Sequence, residues 1–182
     1  MIYQYAADSD HLIKEIKELY TSAFPANERR DFDAFTSLLA NPDSRFSVIC
    51  AIDDEEQPGR MLAFISFWDF EKITYLEHFA VIPQMRGRNI GRTMLRHFLD
   101  DIASRIILEV EPPTTDIARR RIRFYETIGL KLRDEIDYIQ PPYSPDKESL
   151  EMKLMTHGEI SVEELKEAAS LIHLKVYGFV DR

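Results

Sequence analysis

One stretch, Glu77–Ile102, constrains the fold of this chain more than any other part of the sequence. Its first residues belong to a run rich in β-branched and aromatic side chains, Ile73–Val81, which Pro83 closes, and this pattern predicts a buried β-strand. Apolar residues then recur at helical spacing and predict an amphipathic helix. These residues are Ile90, Met94, Leu95, Phe98 and Ile102.

The loop between this strand and this helix is basic and contains two glycines. Gly87 and Gly91 allow backbone N–H groups to turn toward a ligand, and the start of the helix adds a partial positive charge. Three arginines add full charges, namely Arg86, Arg88 and Arg92. The loop therefore predicts a phosphate or pyrophosphate site that is built mainly from backbone groups.

Two familiar phosphate-binding motifs do not match this loop. It has no Gly-Lys-Ser/Thr ending, which excludes the P-loop of nucleoside triphosphatases. The dinucleotide-binding fingerprint also fails, because the loop has two glycines, four residues apart, where that fingerprint has three.

The loop resembles the coenzyme A loop of the GNAT superfamily of acyl-CoA N-acyltransferases. That family has Arg/Gln-x-x-Gly-x-Gly/Ala after a strand that ends in Val-x-Pro. The matching segments here are Val81-Ile82-Pro83 and Arg86-Gly87-Arg88-Asn89-Ile90-Gly91. Asn89 replaces the first glycine of the pattern, and asparagine is the non-glycine residue that best tolerates a positive φ. The resemblance implies that residues Arg86 to Arg92 bind coenzyme A.

A second segment resembles the same family. Ala118–Leu130 matches its landmark of a helix followed by Phe-Tyr-x-x-x-Gly-Phe, with Phe124, Tyr125 and Gly129 at the matching positions. It follows the strand after the coenzyme A helix, as in the family. The resemblance to a small bacterial-type acetyltransferase covers roughly residues 1–156. One difference is Ala118, because many members carry an asparagine there that contacts the cofactor.

The resemblance implies that acetyl moves from acetyl-CoA directly to a primary amine of a small molecule or peptide, without a metal ion. Phe79, Ala80 and Val81 on the strand would pair with the pantetheine arm of the cofactor. Tyr125 takes the general-acid position of the family, where its phenol would protonate the departing thiolate. Glu77 lies where the family often has its general base.

Alternation of side chains along the strand predicts the surroundings of Glu77. It places Glu77 on the same face as Tyr75, Phe79 and Val81, and on the face opposite His78. We therefore expect His78 to be structural.

The acceptor amine is expected to contact a separate set of residues. Glu28 would pair with a cation, and Trp68 and Tyr143 would form an apolar wall. Glu109 and Glu111 lie two residues apart on the next predicted strand, and either one is a candidate to bind the amine or to hold a water molecule. The sequence leaves open whether Glu77, one of these two or a water relay is the base.

Two other functions are also compatible with the sequence. The residues at Ala118 and Asn89 are compatible with a domain that binds acyl-CoA as a sensor or interaction module and has lost catalysis. Acyl transfer to a hydroxyl group, or transfer of a longer acyl chain, is compatible with the same motifs.

The remaining pattern predicts an α/β fold in a chain of 182 residues with 45% hydrophobic content. Three consecutive strands with short joins predict an antiparallel meander, and the strands on either side of the coenzyme A helix are expected to be parallel. The central sheet is thus mixed and mostly antiparallel, with a splayed parallel pair and flanking helices. Residues 1–158 are expected to form one acyltransferase domain. Residues 159–182 would form a helical appendage that begins with the capping box Ser161–Glu164 and packs on the domain or on a second subunit.

Composition narrows the classes of partner. A net charge of −9 argues against nucleic-acid binding and is compatible with a cationic amine. The single cysteine, Cys50, excludes internal disulfides and gives no metal cluster. The sequence has no apolar run long enough to span a membrane and does not begin like a signal peptide, so we expect a cytoplasmic protein with no membrane partner. The amphipathic C-terminal helix makes a homodimer reasonable.

Overall fold

The computed structural model describes residues 1–6, 9–101 and 105–180. Ile102, predicted to lie on the apolar stripe of the helix that follows the loop, is outside this part of the chain. The strands, in chain order, are β1 (Ile2–Tyr5), β2 (Phe46–Ile52), β3 (Met61–Asp69), β4 (Thr74–Val81), β5 (Ile106–Val110), β6 (Lys131–Gln140) and β7 (Leu150–His157). The helices are α1 (Asp10–Ala23), α2 (Phe32–Ala40), α3 (Ile90–Asp101), α4 (Asp116–Glu126) and α5 (Val162–Val176).

The strands form one sheet in the order β1-β2-β3-β4-β5-β7-β6. Strands β1 to β4 are antiparallel neighbours, and so are β5, β7 and β6. Only β4 and β5, which α3 connects, run parallel among the described strands. The predicted meander and the predicted mixed, mostly antiparallel sheet with one parallel pair are both confirmed.

Helices cover both faces of this sheet. The apolar stripe of α3 and residues of α4 belong to one core cluster, with Met94, Leu95 and Phe98 fully buried. The opposite face carries α1, α2 and α5 in a second cluster. Both layers are needed, because the central strands are apolar on both faces and must be covered twice.

The ends of the helices follow local capping chemistry. The hydroxyl of Ser9 accepts the backbone N–H of Leu12 at the start of α1. At the start of α4 the hydroxyl of the N-cap residue, Thr115, accepts the backbone N–H of Ala118. The capping box at Ser161 that was predicted for the C-terminal helix is present in full. None of the helices in the described ranges is long and apolar enough to cross a membrane.

The C-terminal helix α5 packs on the body of the domain. Its apolar face is buried in the same core cluster as α1 and α2. The buried residues of α5 are Leu165, Ala168, Ala169, Ile172 and Val176. This is one of the two arrangements that the sequence left open.

The parallel strands β4 and β5 are paired only near their starts. The paired residues are Thr74–Leu76 on β4 and Ile106–Leu108 on β5. Beyond them β4 continues to Val81 and β5 to Val110, so the two strands diverge and leave a wedge between them. The wedge interrupts the sheet at its centre, where both layers of helices can contribute side chains.

Candidate active site

A cavity of about 840 Å³ fills the wedge between β4 and β5. The loop before α3 forms one end of it, and the segment between α1 and α2 forms part of the other. Fourteen of the residues expected to form the site line this cavity. They are Glu28, Glu77, Phe79, Ala80, Val81, Arg86, Gly87, Asn89, Ile90, Gly91, Arg92, Glu111, Tyr125 and Tyr143.

Strand β4 contains a bulge at Glu77. Ser66 of β3 pairs with His78, and the next residue, Phe67, pairs with Leu76, so Glu77 is the extra residue on β4. A bulge of this kind changes which face the following side chains take. The carboxylate of Glu77 lies 3.8 Å from the ring nitrogen Nδ1 of His78, on the same side of the sheet.

The alternation that the sequence predicted is therefore wrong beyond Glu77. Phe79 and Val81 point to the opposite face, where they contact the start of α3. A Cβ atom added to Gly91 would lie 3.1 Å from Phe79 Cζ and 3.2 Å from Val81 Cγ2. Glycine at this position thus allows the first turn of α3 to lie against β4.

The loop before α3 has the backbone shape of an anion-binding turn. Gly87 and Asn89 have φ angles of 79° and 62°. The asparagine is thus in the left-handed region that the pattern glycine would occupy. The helix begins at Ile90, so the N–H groups of its first turn have no intrahelical acceptor and form the positive end of the helix dipole.

The three arginines of this loop face different surroundings. Arg86 and Arg92 line the cavity, and Nε of Arg86 donates to the backbone oxygen of Val81 at 3.2 Å. The guanidinium of Arg88 instead lies 3.8 Å from the exposed carboxylate of Glu56. Arg88 was predicted to bind the cofactor, but it is not among the described residues that line the cavity.

Tyr125 lies near the end of α4 with its ring buried and facing the cavity. Burial raises the pKa of its phenol to about 12, although Arg121 acts in the opposite direction. The phenol is therefore protonated at neutral pH and has a proton to donate. Ala118, on the same helix, is buried, and its N–H donates to the N-cap hydroxyl of Thr115.

The carboxylate of Glu77 is fully buried and is held by three donors. It forms an ion pair with Arg30. It also accepts the indole N–H of Trp68 at 3.1 Å and the phenol of Tyr143 at 3.0 Å. Burial favours the neutral form, but Arg30 and the hydrogen bonds outweigh it and lower the pKa of Glu77 below its ordinary value. Glu77 is thus ionised at neutral pH, and each of its oxygens already has a partner.

Arg30 is a site residue that the sequence did not reveal. Its guanidinium lies over the ring of Tyr143, 5.0 Å from the centroid, and its side chain is buried. It follows the polar run Asn27–Arg29, which has the composition of an exposed loop. Trp68 lies beside Glu77 but is not one of the described residues that line the cavity. Its expected role in an apolar wall is therefore not supported by its position.

A second carboxylate, Glu109, is half-buried on β5 and also lines the cavity. The phenols of Tyr138 and Tyr177 donate to its two oxygens, the latter at 2.8 Å. No cationic side chain in the described part of the chain forms an ion pair with it. Burial raises the pKa of Glu109 to about 7, even though the phenols act to lower it. Tyr177 follows α5 and was missed, because the C-terminal segment was assigned to an appendage.

The mouth of the cavity is also acidic. Glu28 and Glu111 both line it, and the guanidinium of Arg121 donates to Glu111 at 2.6 Å. Burial and the neighbouring Glu111 raise the pKa of Glu28 above its ordinary value. His78 lies nearby, with Nε2 3.0 Å from the backbone oxygen of Glu28, and burial lowers its pKa.

The family model of the acetyltransferases, the GNAT family, matches residues 13–130. This chain belongs to the GNAT family. The resemblance noted in the sequence is thereby confirmed, and family membership supports an acyltransferase.

Solved structures of GNAT proteins share the fold. A Bacteroides thetaiotaomicron protein described as a GNAT-family acetyltransferase superimposes with a TM-score of 0.87 at 33% identity, over 98% of this chain and 99% of that chain. An aminoglycoside 6'-N-acetyltransferase complexed with coenzyme A superimposes with a TM-score of 0.61 at 16% identity, over 88% of this chain and 98% of that chain. The ribosomal-protein-S18-alanine N-acetyltransferase from Escherichia coli superimposes with a TM-score of 0.59 at 17% identity, over 88% of this chain and 97% of that chain. The last two show the fold alone. No curated protein matches this sequence.

The donor set of this GNAT site is made of carboxylates, phenols and backbone groups. Within the described residues, no three His, Cys, Asp or Glu side chains are grouped so that they would hold a metal ion.

Proposed function

We propose that this protein is an N-acetyltransferase that moves the acetyl group of acetyl-CoA directly to a primary amine of a small molecule or peptide. The observation that supports this most is one cavity with two chemically different ends. The start of α3, with Arg86 and Arg92, suits an anionic donor. The other end is lined by carboxylates and suits a cationic acceptor. These carboxylates are Glu28, Glu77, Glu109 and Glu111.

The donor end fits a pyrophosphate group attached to a pantetheine arm. The backbone N–H groups at the start of α3 and the two lining arginines supply hydrogen bonds and positive charge. The edge of β4 that faces the wedge is not paired with β5 beyond Leu76, so the backbone of Phe79–Val81 is available to amide groups of the arm. Acetyl-CoA, when bound, supplies the thioester.

Residues around the wedge have matching roles in the transfer. Backbone N–H groups of β4 polarise the thioester carbonyl. Tyr125 protonates the departing sulfur, since its pKa of about 12 keeps the phenol protonated at neutral pH. A buried carboxylate takes a proton from the amine. The sequence favours Glu77 for this role, and Glu109 lines the same cavity.

Other proteins of this fold support the class of acceptor. Two are named as acetyltransferases of an aminoglycoside and of a ribosomal-protein alanine, and a third, from Vibrio cholerae, as a spermidine N-acetyltransferase. Their acceptors have an amine in common. We propose the same acceptor group for this chain, with Glu28 and Glu111 attracting the cation at the mouth.

The test is release of free thiol from acetyl-CoA in the presence of a panel of diamines, aminoglycosides, amino acid amides and short peptides. Mass spectrometry of the acceptor identifies the acetylated nitrogen. At least one class of amine is expected to react. Tyr125→Phe should lower kcat at least ~10²-fold, which is a typical contribution of a general acid. Its affinity for acetyl-CoA, measured by calorimetry, should stay unchanged.

Three other outcomes would replace the proposal. Tight binding of acetyl-CoA without thiol release from any amine would favour the sensor or interaction module. Reaction with alcohols alone would indicate an O-acyltransferase. Turnover only with longer acyl-CoA donors would change the acyl group.

A further inference from the structure

We infer that Glu109, rather than Glu77, accepts the proton of the acceptor amine, and that Tyr177 of the C-terminal segment positions Glu109 for this task. The inference rests on the proposed function. It goes beyond it by assigning the base to a residue on β5 and by making the segment after α5 part of the active site.

The partners of Glu77 leave it poorly suited to act as a base. A general base must be stable with the proton bound. Both oxygens of Glu77 already accept hydrogen bonds, one from Arg30 and Tyr143 and the other from Trp68. Protonation of Glu77 would leave the buried charge of Arg30 without its counter-ion, which is costly. Glu77 therefore acts as a fixed counter-ion.

Glu109 differs because its hydrogen-bond donors in the described part of the chain are phenols. A hydroxyl group both donates and accepts, and its hydrogen rotates to suit its neighbour. Tyr138 and Tyr177 can thus donate to the carboxylate and can also accommodate the protonated carboxyl. Glu109 can bind a proton without leaving any neighbouring charge uncompensated.

The titratable groups that act on Glu109 lie on several of the surrounding segments. Tyr75 and Glu77 lie on β4, Tyr138 on β6, Tyr143 after β6 and Tyr177 after α5. Burial raises the pKa of Glu109 to about 7, and the charge of Glu77 acts in the same direction. The phenols of Tyr138, Tyr177 and Tyr75 act to lower it. Glu109 therefore titrates close to neutral pH, where a general base is most effective.

The proton transfers balance as follows. The amine arrives as an ammonium ion, and the Glu109 carboxylate removes one proton. The nitrogen then forms a bond to the thioester carbonyl carbon, and the bond from that carbon to sulfur breaks. Tyr125 protonates the sulfur, and the second proton of the nitrogen restores the phenol. Glu109 finally releases its proton to solvent, so the products are an amide, a free thiol and one proton.

Tyr177 connects the C-terminal segment to both carboxylates. Its hydroxyl lies 2.8 Å from Glu109 and 3.0 Å from the hydroxyl of Tyr75. Its ring packs on that of Tyr143, with centroids 4.8 Å apart, and Tyr143 donates to Glu77. Tyr177 acts through Glu109, so it is a positioning residue.

The experiment is the pH dependence of kcat/KM for an amine that the panel identifies, at saturating acetyl-CoA. The wild-type rate should rise with pH through an apparent pKa near 7, because the reaction needs the ionised carboxylate. Glu109→Gln should remove this acidic limb and lower kcat by ~10²–10³-fold. Tyr177→Phe should move the limb to higher pH, because a donor that favours the carboxylate is lost.

The matched control is Glu77→Gln. It should keep the acidic limb and move it to lower pH, because the negative charge that raises the pKa of Glu109 is removed. Loss of the limb in Glu77→Gln together with its retention in Glu109→Gln would overturn the inference. An unchanged pH profile in Tyr177→Phe would overturn the positioning role.

A second readout does not depend on turnover. The carbonyl stretch of a protonated carboxyl, taken as the infrared difference between the wild type and Glu109→Gln, follows the ionisation of Glu109 directly. A midpoint near 7 supports the inference. A midpoint near the ordinary pKa of glutamate, 4.5, overturns it. If no amine is acetylated, the proposed function fails, while this titration still decides whether Glu109 holds a proton near neutral pH.

Discussion

Glu77 and Glu109 lie on the two diverging strands of the wedge, and the contrast between them shows what determines proton affinity in a buried site. The side chain of Glu77 is buried and Glu109 is half-buried, both line the cavity, and both accept hydrogen bonds from phenols. Glu77 also has Arg30 as a counter-ion, and its pKa is lowered. The donors to Glu109 in the described part of the chain are neutral phenols, and its pKa is raised to about 7. Burial disfavours the ionised form of both carboxylates. The charged or neutral groups beside each carboxylate therefore determine which of the two can take up a proton.

The largest effect is expected when Glu77 loses its counter-ion. Arg30→Met leaves a buried carboxylate unpaired, and the free energy of unfolding should fall by about 3–5 kcal/mol. Urea unfolding at pH 7 measures this. In the matched double variant, Arg30→Met with Glu77→Gln, the uncompensated charge is removed and much of the loss should be recovered. A single variant as stable as the wild type would show that the ion pair does not control Glu77.

The next effect is a difference in how the two carboxylates link stability to pH. The pKa of Glu109 is raised in the folded protein from 4.5 to about 7, so its contribution to stability is full below about pH 4.5 and is lost as the pH rises through 7. The unfolding free energy of Glu109→Gln, relative to that of the wild type, should therefore rise between pH 5 and pH 8. The rise should be on the order of 3 kcal/mol, at about 1.4 kcal/mol per pKa unit.

Glu77 should behave in the opposite way. Its pKa is lowered, so its contribution is present above about pH 4.5 and is lost as the pH falls further. Unfolding free energies of Glu77→Gln and Glu109→Gln, measured from below pH 4.5 up to pH 8, test both signs. Equal pH dependence in the two variants would remove the contrast.

A smaller effect is expected from the phenols. Tyr177→Phe removes one of the donors to Glu109 and should cost about 1–2 kcal/mol of unfolding free energy at pH 8, where the carboxylate is charged, and less at pH 5. Tyr143→Phe removes a donor to Glu77, which keeps Arg30 and Trp68, and its cost should not depend on pH in this way. Thermal or urea unfolding at the two pH values separates them. An equal cost at both pH values for Tyr177→Phe would contradict the account of Glu109.

The smallest effect is expected at the donor end of the wedge, in the affinity for acetyl-CoA. Variants there should weaken cofactor binding and leave the base in place. Arg92→Ala should weaken acetyl-CoA binding about tenfold, the size of one charge-assisted hydrogen bond. Arg88→Ala should change it less than about twofold, because Arg88 faces Glu56 in an exposed pair. Calorimetric titration measures both. A larger loss for Arg88→Ala would mean that this side chain reaches the cofactor.

Local signals in the sequence were sufficient to predict the loop and the two helices that form the donor end of the site. The spacing of apolar residues predicts α3, and the two motifs predict the loop and the helix that carries Tyr125. The positive φ at Asn89 agrees with its place in the pattern. These features depend on neighbouring residues, so a single sequence contains them.

The acceptor end depends on contacts between distant segments, and the sequence alone did not predict it. The bulge at Glu77 depends on the register with β3, and it reverses the expected faces of Phe79 and Val81. Arg30 reaches Glu77 across 47 residues, and Tyr177 reaches Glu109 across 68. Neither residue lies in a motif.

Calorimetric titration with acetyl-CoA tests most directly whether the wedge is an acyl-CoA site. The wild type should bind acetyl-CoA with a dissociation constant on the order of micromolar, within the usual range for enzyme substrates. Gly91→Glu should abolish binding, because its Cβ would press on Phe79 and Val81 and its carboxylate would lie at the anion-binding start of α3. Circular dichroism of the variant checks that it is folded. Failure of the wild type to bind at millimolar acetyl-CoA would contradict the account, because every catalytic role proposed here requires the donor in this wedge.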